Sequence, residues 1–257
     1  MSDVTGESGV TSSDFLHRIR TVVDRVGAGQ SEEKRRAAEL LTTTVRSGGV
    51  IQAFGCGHSE AFAMEIAGRA GGLVPTNRIA LRDIVLYGGD PLDALADPMV
   101  ERDTAIAHRL YQLAPIKPDD AFVIASNSGI NGAVVEMALL VKERGHPLVA
   151  ITSADHSAGV ASRHPSGRKL GEIADVVLDN GAPYGDAVLP LPGGGAVGAV
   201  SSITAALLAQ QLVTDVVANL LDAGETPPVY LSDNVPGGKE HNARLEARYA
   251  GRIRRTA

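Results

Sequence analysis

Two short stretches of the chain carry side chains that could do chemistry. Gly55-Cys56-Gly57-His58-Ser59 follows the apolar run VIQAF, and Ser126-Asn127-Ser128-Gly129-Ile130-Asn131 follows the apolar run AFVIA. A helical pattern starts directly after each. Gly, Ser and Asn let a backbone approach a ligand closely and aim N–H groups at it, and a helix N-terminus adds roughly 0.3–1 kcal/mol per favourable charge. Hydroxyl and amide donors add charge-assisted bonds. The implied chemistry is the holding of a phosphate without Lys or Arg. The residues alone leave a second reading open, in which Ser and Asn simply cap the helices. Neither turn is a nucleotide loop, because the second lacks G-K-[ST] and Glu60 stands where a dinucleotide fingerprint needs its third Gly.

The elements that must position these turns can be read from the pattern. VIQAF (50–54), AFVIA (121–125), PLVAITS (147–153) and ADVVLDN (174–180) read as buried strands, with helices over 60–72 and 132–145. Strands alternating with helices of this length imply an α/β fold with a mainly parallel, doubly wound sheet and right-handed crossovers. Such sheets bind ligands beyond the carboxyl ends of their strands, where both turns fall. Helical patterns at 12–27 and 31–46 form an N-terminal helical hairpin, stopped by Gly48-Gly49. Residues 77–98 read as a loop-rich segment, and 197–221 as a long apolar helix buried against the sheet or a second subunit. Residues 1–11 are expected to be flexible and 12–257 to form one domain: hairpin 12–47, α/β core 48–222, C-terminal arm 223–257.

Composition narrows the setting. A single cysteine, Cys56, excludes an internal disulfide framework and a Cys-based zinc site, which fits a reducing, cytoplasmic compartment. No signal-peptide pattern opens the chain, and no charge-free apolar stretch reads as long enough to span a bilayer, so no membrane partner is expected. The net charge of −6 argues against a nucleic-acid surface. The basic stretch RYAGRIRR (248–255) is the exception, and it reads as a packing arm or a solvated helix end.

The first turn matches G-x-G-x-S and the second S-x-S-G-x-T, with Asn131 for Thr. On these the chain resembles the sugar isomerase (SIS) domain of phosphosugar enzymes and sensors, over about residues 12–222. GCGHS, RAGGLVP, ITSADHS, SRHPSG, DNGAPYGD and GGKEHN also resemble the bacterial UPF0309 subgroup. The resemblance implies a three-layer αβα sandwich with a five-stranded, flavodoxin-like sheet. It assigns Ser126, Asn127, Ser128 and Asn131 to the phosphate and Ser59 to the sugar. It implies a homodimer or dimer of dimers.

Catalytic candidates also come from resemblance. Glu101, in PMVERDTAIA, falls where SIS etherases of N-acetylmuramic acid 6-phosphate carry an acid/base; the bland alternative is a first-turn helix glutamate. Glu65 could substitute for a second carboxylate, since Arg69 stands at the etherase position, or could simply pair with Arg69 at i,i+4. His58 lies inside the first turn. His241, in GGKEHN, could reach a neighbouring subunit's site, and His156 could face the ligand. No H-x-x-x-H spacing occurs, and the long helix lacks the Gln and His ligands of zinc-dependent heptose isomerases, so neither metal nor other cofactor is expected. The resulting expectation is a lyase or dehydratase eliminating across C2–C3 of an N-acetylhexosamine 6-phosphate such as N-acetylglucosamine 6-phosphate. The alternatives are an aldose–ketose phosphosugar isomerase and a non-catalytic sugar-phosphate sensor; against the sensor, the residues before the first strand contain no basic recognition helix.

Overall fold

The computed structural model describes residues 9–254 apart from residue 98, so the expectations for residues 1–8 and for Arg255 lie outside the described residues. The hairpin is α1 (Ser12–Ala28) and α2 (Ser31–Arg46). Thr11 caps α1: its hydroxyl accepts from the Asp14 N–H while the Asp14 carboxylate accepts from the Thr11 N–H. Then follow β1 (Ile51–Gly55), α3 (Glu60–Ile66), β2 (Thr76–Ile79), α4 (Asp83–Leu86), α5 (Ala105–Leu113), β3 (Ala121–Ala125), α6 (Gly132–Glu143), β4 (Leu148–Thr152), α7 (Ala154–Ala158) and β5 (Val176–Asp179). β6 (Ala187–Pro190), β7 (Ala196–Ala199), α8 (Ser201–Asp222) and α9 (Gly238–Glu246) complete the order.

The five-stranded sheet runs β2-β1-β3-β4-β5, all parallel, as the doubly wound reading requires. Side chains of β3 alternate between its faces: Ala121, Val123 and Ala125 enter a core with α2, α3 and α8, while Phe122 and Ile124 enter one with α5 and α6. These two cores make the three layers. Gly55 pairs with Ala125, so the two turns leave neighbouring strand ends, at the point where strand order reverses.

Several boundaries differ from the sequence reading. β2 runs into the segment expected to be loop from residue 77; its sequence TNRI is short and mostly polar, so periodicity could not announce it. The helix expected over 60–72 stops at Ile66, and the long helix begins at Ser201 because Ala196–Ala199 pairs with β6 in a hairpin. α8 is long and apolar enough to cross a bilayer by length and hydropathy, although Asp215 and Asp222 interrupt it. Here Leu208, Ala209, Leu212 and Val216 are buried in the core that α8 shares with α2 and α3.

The basic C-terminal stretch packs inward. Arg252 forms an ion pair with the fully buried Asp120, which also accepts from the Val50 N–H and from Gln52 at 2.9 Å each. The Arg254 guanidinium lies 3.8 Å from the Tyr87 ring centroid, a cation–π contact. This arm therefore braces the end of the sheet opposite the turns.

Candidate functional site

The site is built on the paired ends of β1 and β3. In the first turn the chain doubles back so tightly that a Cβ on Gly55 would stand 2.3 Å from the Ser59 carbonyl oxygen, which only glycine permits. His58 and Ser59 then line a small pocket with Ser126 and Asn127 from the second turn. Asn180, after β5, and Ser201 and Ser202, at the start of α8, complete its wall. Its cavity is about 10 Å³, close to the room one water needs.

The second turn is held by side chains. Ser126 Oγ accepts from the Gly129 N–H at 3.1 Å. The Asn127 amide faces His156 Nδ1 at 3.3 Å, and its oxygen accepts from Asn180 Nδ2 at 3.0 Å. Ser128 is half-buried with no side-chain partner among the described residues. Asn131 stands at the N-cap of α6 but makes no side-chain cap. The N–H groups of Ile130, Asn131, Gly132 and Ala133 likewise find no acceptor among the described residues, although Ile130, Gly132 and Ala133 are buried. Such donors, gathered at the N-terminus of a twelve-residue helix, suit an anion.

Glu101 does not line this pocket but lies beside the second turn. It lies on a short 3-10 turn, Val100–Arg102, ahead of α5 rather than in a helix first turn. A Cβ on Gly132 would meet the Arg102 carbonyl oxygen at 2.0 Å, so glycine there lets this turn press against the start of α6. Asn131 Nδ2 then donates to Glu101 Oε1 at 2.9 Å. The other carboxylate oxygen sits beside the first turn, 3.5 Å from where a Gly57 Cβ would be. Glu101 thus stands between the turns. Burial, with the Glu101 and Glu60 carboxylates, pushes the Cys56 thiol up, which disfavours the thiolate.

The SIS domain model matches residues 14–153. The chain belongs to the SIS domain family. Within the family, this SIS chain groups with the UPF0309 proteins. One from Listeria monocytogenes is 40% identical over 240 residues, covering 93% of this chain and 97% of that protein. Another, from Geobacillus kaustophilus, is 33% identical over 242 residues, covering 94% and 95%. Among solved structures, a phosphoheptose isomerase from Neisseria gonorrhoeae matches with TM-score 0.54 and 20% identity over 80% of this chain and 96% of that one. One from Francisella tularensis matches with TM-score 0.55 and 15% identity over 80% and 98%. At those identities the likeness is one of fold.

Not every expected residue of the SIS chain reaches the site. Glu65 is taken by Arg69 and, at 2.7 Å, by Gln210 of α8, so the i,i+4 pairing holds and Glu65 is not among the residues that line the pocket. His241 bonds the Val229 carbonyl at 3.0 Å, and Val229 bridges to Leu73 in the chain leading into the start of β2. That is the far end of the sheet, leaving a neighbouring subunit's pocket as its one route to a site. Asn131 was expected on the phosphate, yet both its side-chain polar atoms are engaged, by Glu101 and by Arg163 Nη1 at 2.9 Å. His58 stays at the pocket rim, exposed, with no partner among the described residues.

Sequence reasoning missed Asn180, Ser201, Ser202 and Arg163. DNGAPYGD held the signal for Asn180, a buried amide between a strand and a glycine. Arg163, in SRHPSG, sits on an irregular loop and could not be placed without the fold.

Proposed function

We propose that this chain is a phosphosugar enzyme that holds the phosphate on the turn 126–133 and moves the C2 proton of an N-acetylhexosamine 6-phosphate with Glu101. The observation that carries this reading is the position of Glu101, within one side chain of both turns. In the open-chain sugar the carbonyl makes the C2 proton acidic. Glu101 takes that proton as the electron pair forms a C1–C2 enolate. The pair then forms the C2–C3 double bond while the C3–O bond breaks, and the departing oxygen takes up a proton to leave as water. A single carboxylate can serve both proton transfers from one face of the sugar, which suits a pocket that Glu65 and His241 do not line.

The same carboxylate also favours a second reading, aldose–ketose isomerisation, in which the C2 proton returns at C1. NMR of amino-sugar phosphates incubated with the protein in D₂O separates the two. An olefinic signal supports elimination, and a ketose carrying deuterium supports isomerisation. Silence with every hexosamine phosphate, despite stabilisation of the protein by the same compounds, returns the chain to the sensor class. The reading also expects a homodimer or dimer of dimers, supported by the exposed apolar side chains of Tyr184, Val197 and Ile203; native mass spectrometry finding only monomer opposes it.

A further inference from the structure

We propose that Arg163 is a positioning residue, which acts on Glu101 through the Asn131 amide rather than on the substrate. The inference rests on the proposed reading for its kinetic consequence, but its geometry stands apart from it. Arg163 Nη1 donates to Asn131 Oδ1 at 2.9 Å, and Asn131 Nδ2 donates to Glu101 Oε1 at 2.9 Å. An amide has two flip states, and here only one satisfies both neighbours. In the other, the NH₂ would face a guanidinium and the oxygen a carboxylate, two repulsive contacts in place of two attractive ones. The guanidinium therefore fixes which end of Asn131 meets Glu101.

The loop that carries Arg163 is tied down in register with the turn. The Arg163 N–H donates to the Ile130 carbonyl at 3.1 Å, and the Leu170 N–H to the Gly129 carbonyl at 2.9 Å. The next residue, His164, is buried and bonds Glu136 of α6 at 2.6 Å, which anchors the loop to the same helix that Asn131 starts. Arg163 itself is exposed, so its ordered hydrogen bond is imposed by this backbone pairing and not by burial. The relay from Arg163 to Asn131 to Glu101 adds a cation to a turn whose own residues carry none.

Kinetics on Arg163→Ala with the hexosamine phosphate that wild type turns over test the relay. The expected result is a kcat lower by about tenfold or more with KM within about twofold, and substantial recovery in Arg163→Lys, the pattern of a lost transition-state contact. In an Asn131→Ala background the same Arg163→Ala change should cost less than about twofold, because residues acting in one network are not additive. A raised KM, or additive losses, would mean that Arg163 grips the phosphate directly and would overturn the proposal. If wild type turns over none of these compounds, the enzymatic reading fails, while the positioning claim is still read by NMR of the ligand-free protein. The Asn131 side-chain amide signals, assigned by their loss in Asn131→Ala, should shift and exchange faster in Arg163→Ala; unchanged signals in that variant refute the relay.

Discussion

The two turns start from paired residues of neighbouring strands, yet they are built on different principles. The first is made by backbone proximity: Gly55 lies against the Ser59 carbonyl, and the Ser59 N–H donates to the Cys56 carbonyl at 3.1 Å. The second adds side chains to its backbone bonds, with Asn127 held by His156 and Asn180 and Asn131 by Arg163 and Glu101. The difference teaches where shape ends and chemistry begins. Both turns line the pocket, but only the second orients amides and a carboxylate.

The sharpest way to break this comparison is at Glu101. Glu101→Gln keeps the shape and the hydrogen bond capacity but removes the base, so turnover should fall by about 10²–10⁴-fold. Binding of the phosphosugar, read by thermal shift, should change by less than about threefold if the phosphate rests on the turn amides. Loss of binding with loss of turnover would move Glu101 from catalysis to ligand support.

Glycine substitutions separate the turns more finely. In Gly132→Ala the new Cβ must displace the Arg102 backbone and with it Glu101, and a misplacement near 1 Å costs roughly 10²-fold in rate. In Gly55→Ala the clash falls on the first turn at the end of a buried strand, so the loss should appear as about 1–3 kcal/mol of stability in urea unfolding. Equal behaviour of the two variants in both assays would erase the distinction between the turns.

Asn127→Ala addresses the second turn alone. It leaves the Nδ2 of Asn180, a residue 2% exposed, without its acceptor, a defect worth about 1–3 kcal/mol. Phosphosugar affinity should fall about tenfold as the turn loses its orientation. Asn180→Ala should show a similar loss of affinity, because it acts on the same amide.

How much of this could be read from the sequence follows the same division. VIQAF, AFVIA and the strands after them are continuous apolar runs, which is how strands buried on both faces appear, so the sheet and both turns were legible. β2 was not, because Thr76, Asn77 and Arg78 are polar and draw their burial from tertiary partners: Asn77 donates to Gln52 at 3.0 Å and accepts from the Arg254 N–H. Glu101 was legible only through resemblance, since a 3-10 turn has no periodicity. Its partner Arg163 was out of reach, being 62 residues away by sequence number and brought near only when the loop after α7 returns along the second turn.

A smaller effect should come from acid. Burial pushes the Glu136 carboxyl up, but hydrogen bonds from His164 and His108 outweigh it and hold the carboxyl below its usual value of 4.5. With the folded-state pKa below the unfolded one, the carboxylate stabilises the fold at neutral pH, and that contribution is lost as pH falls from about 4.5 downward. Unfolding midpoints of Glu136→Gln should therefore depend less steeply on pH in that window than those of the parent. Identical slopes would show that the bridge carrying the Arg163 loop contributes nothing.

Glu65 should give the smallest effect, and it tests the comparison from the other side. It sits on α3, the helix that the first turn begins, so a carboxylate there that mattered would place chemistry on the turn assigned to shape. Its neighbours argue otherwise: Arg69 is 46% exposed and Glu65 25%, and a half-exposed i,i+4 pair is worth about 0.3–0.5 kcal/mol. The added bond from Gln210 ties α3 to α8, and its loss can be made good by water at that surface. Glu65→Ala should therefore lower the melting temperature by only about 1–2 °C and leave turnover within about twofold. A tenfold fall in turnover with an intact fold would require both turns to carry reacting groups, and a two-carboxylate mechanism would then replace the single carboxylate on which the elimination reading depends.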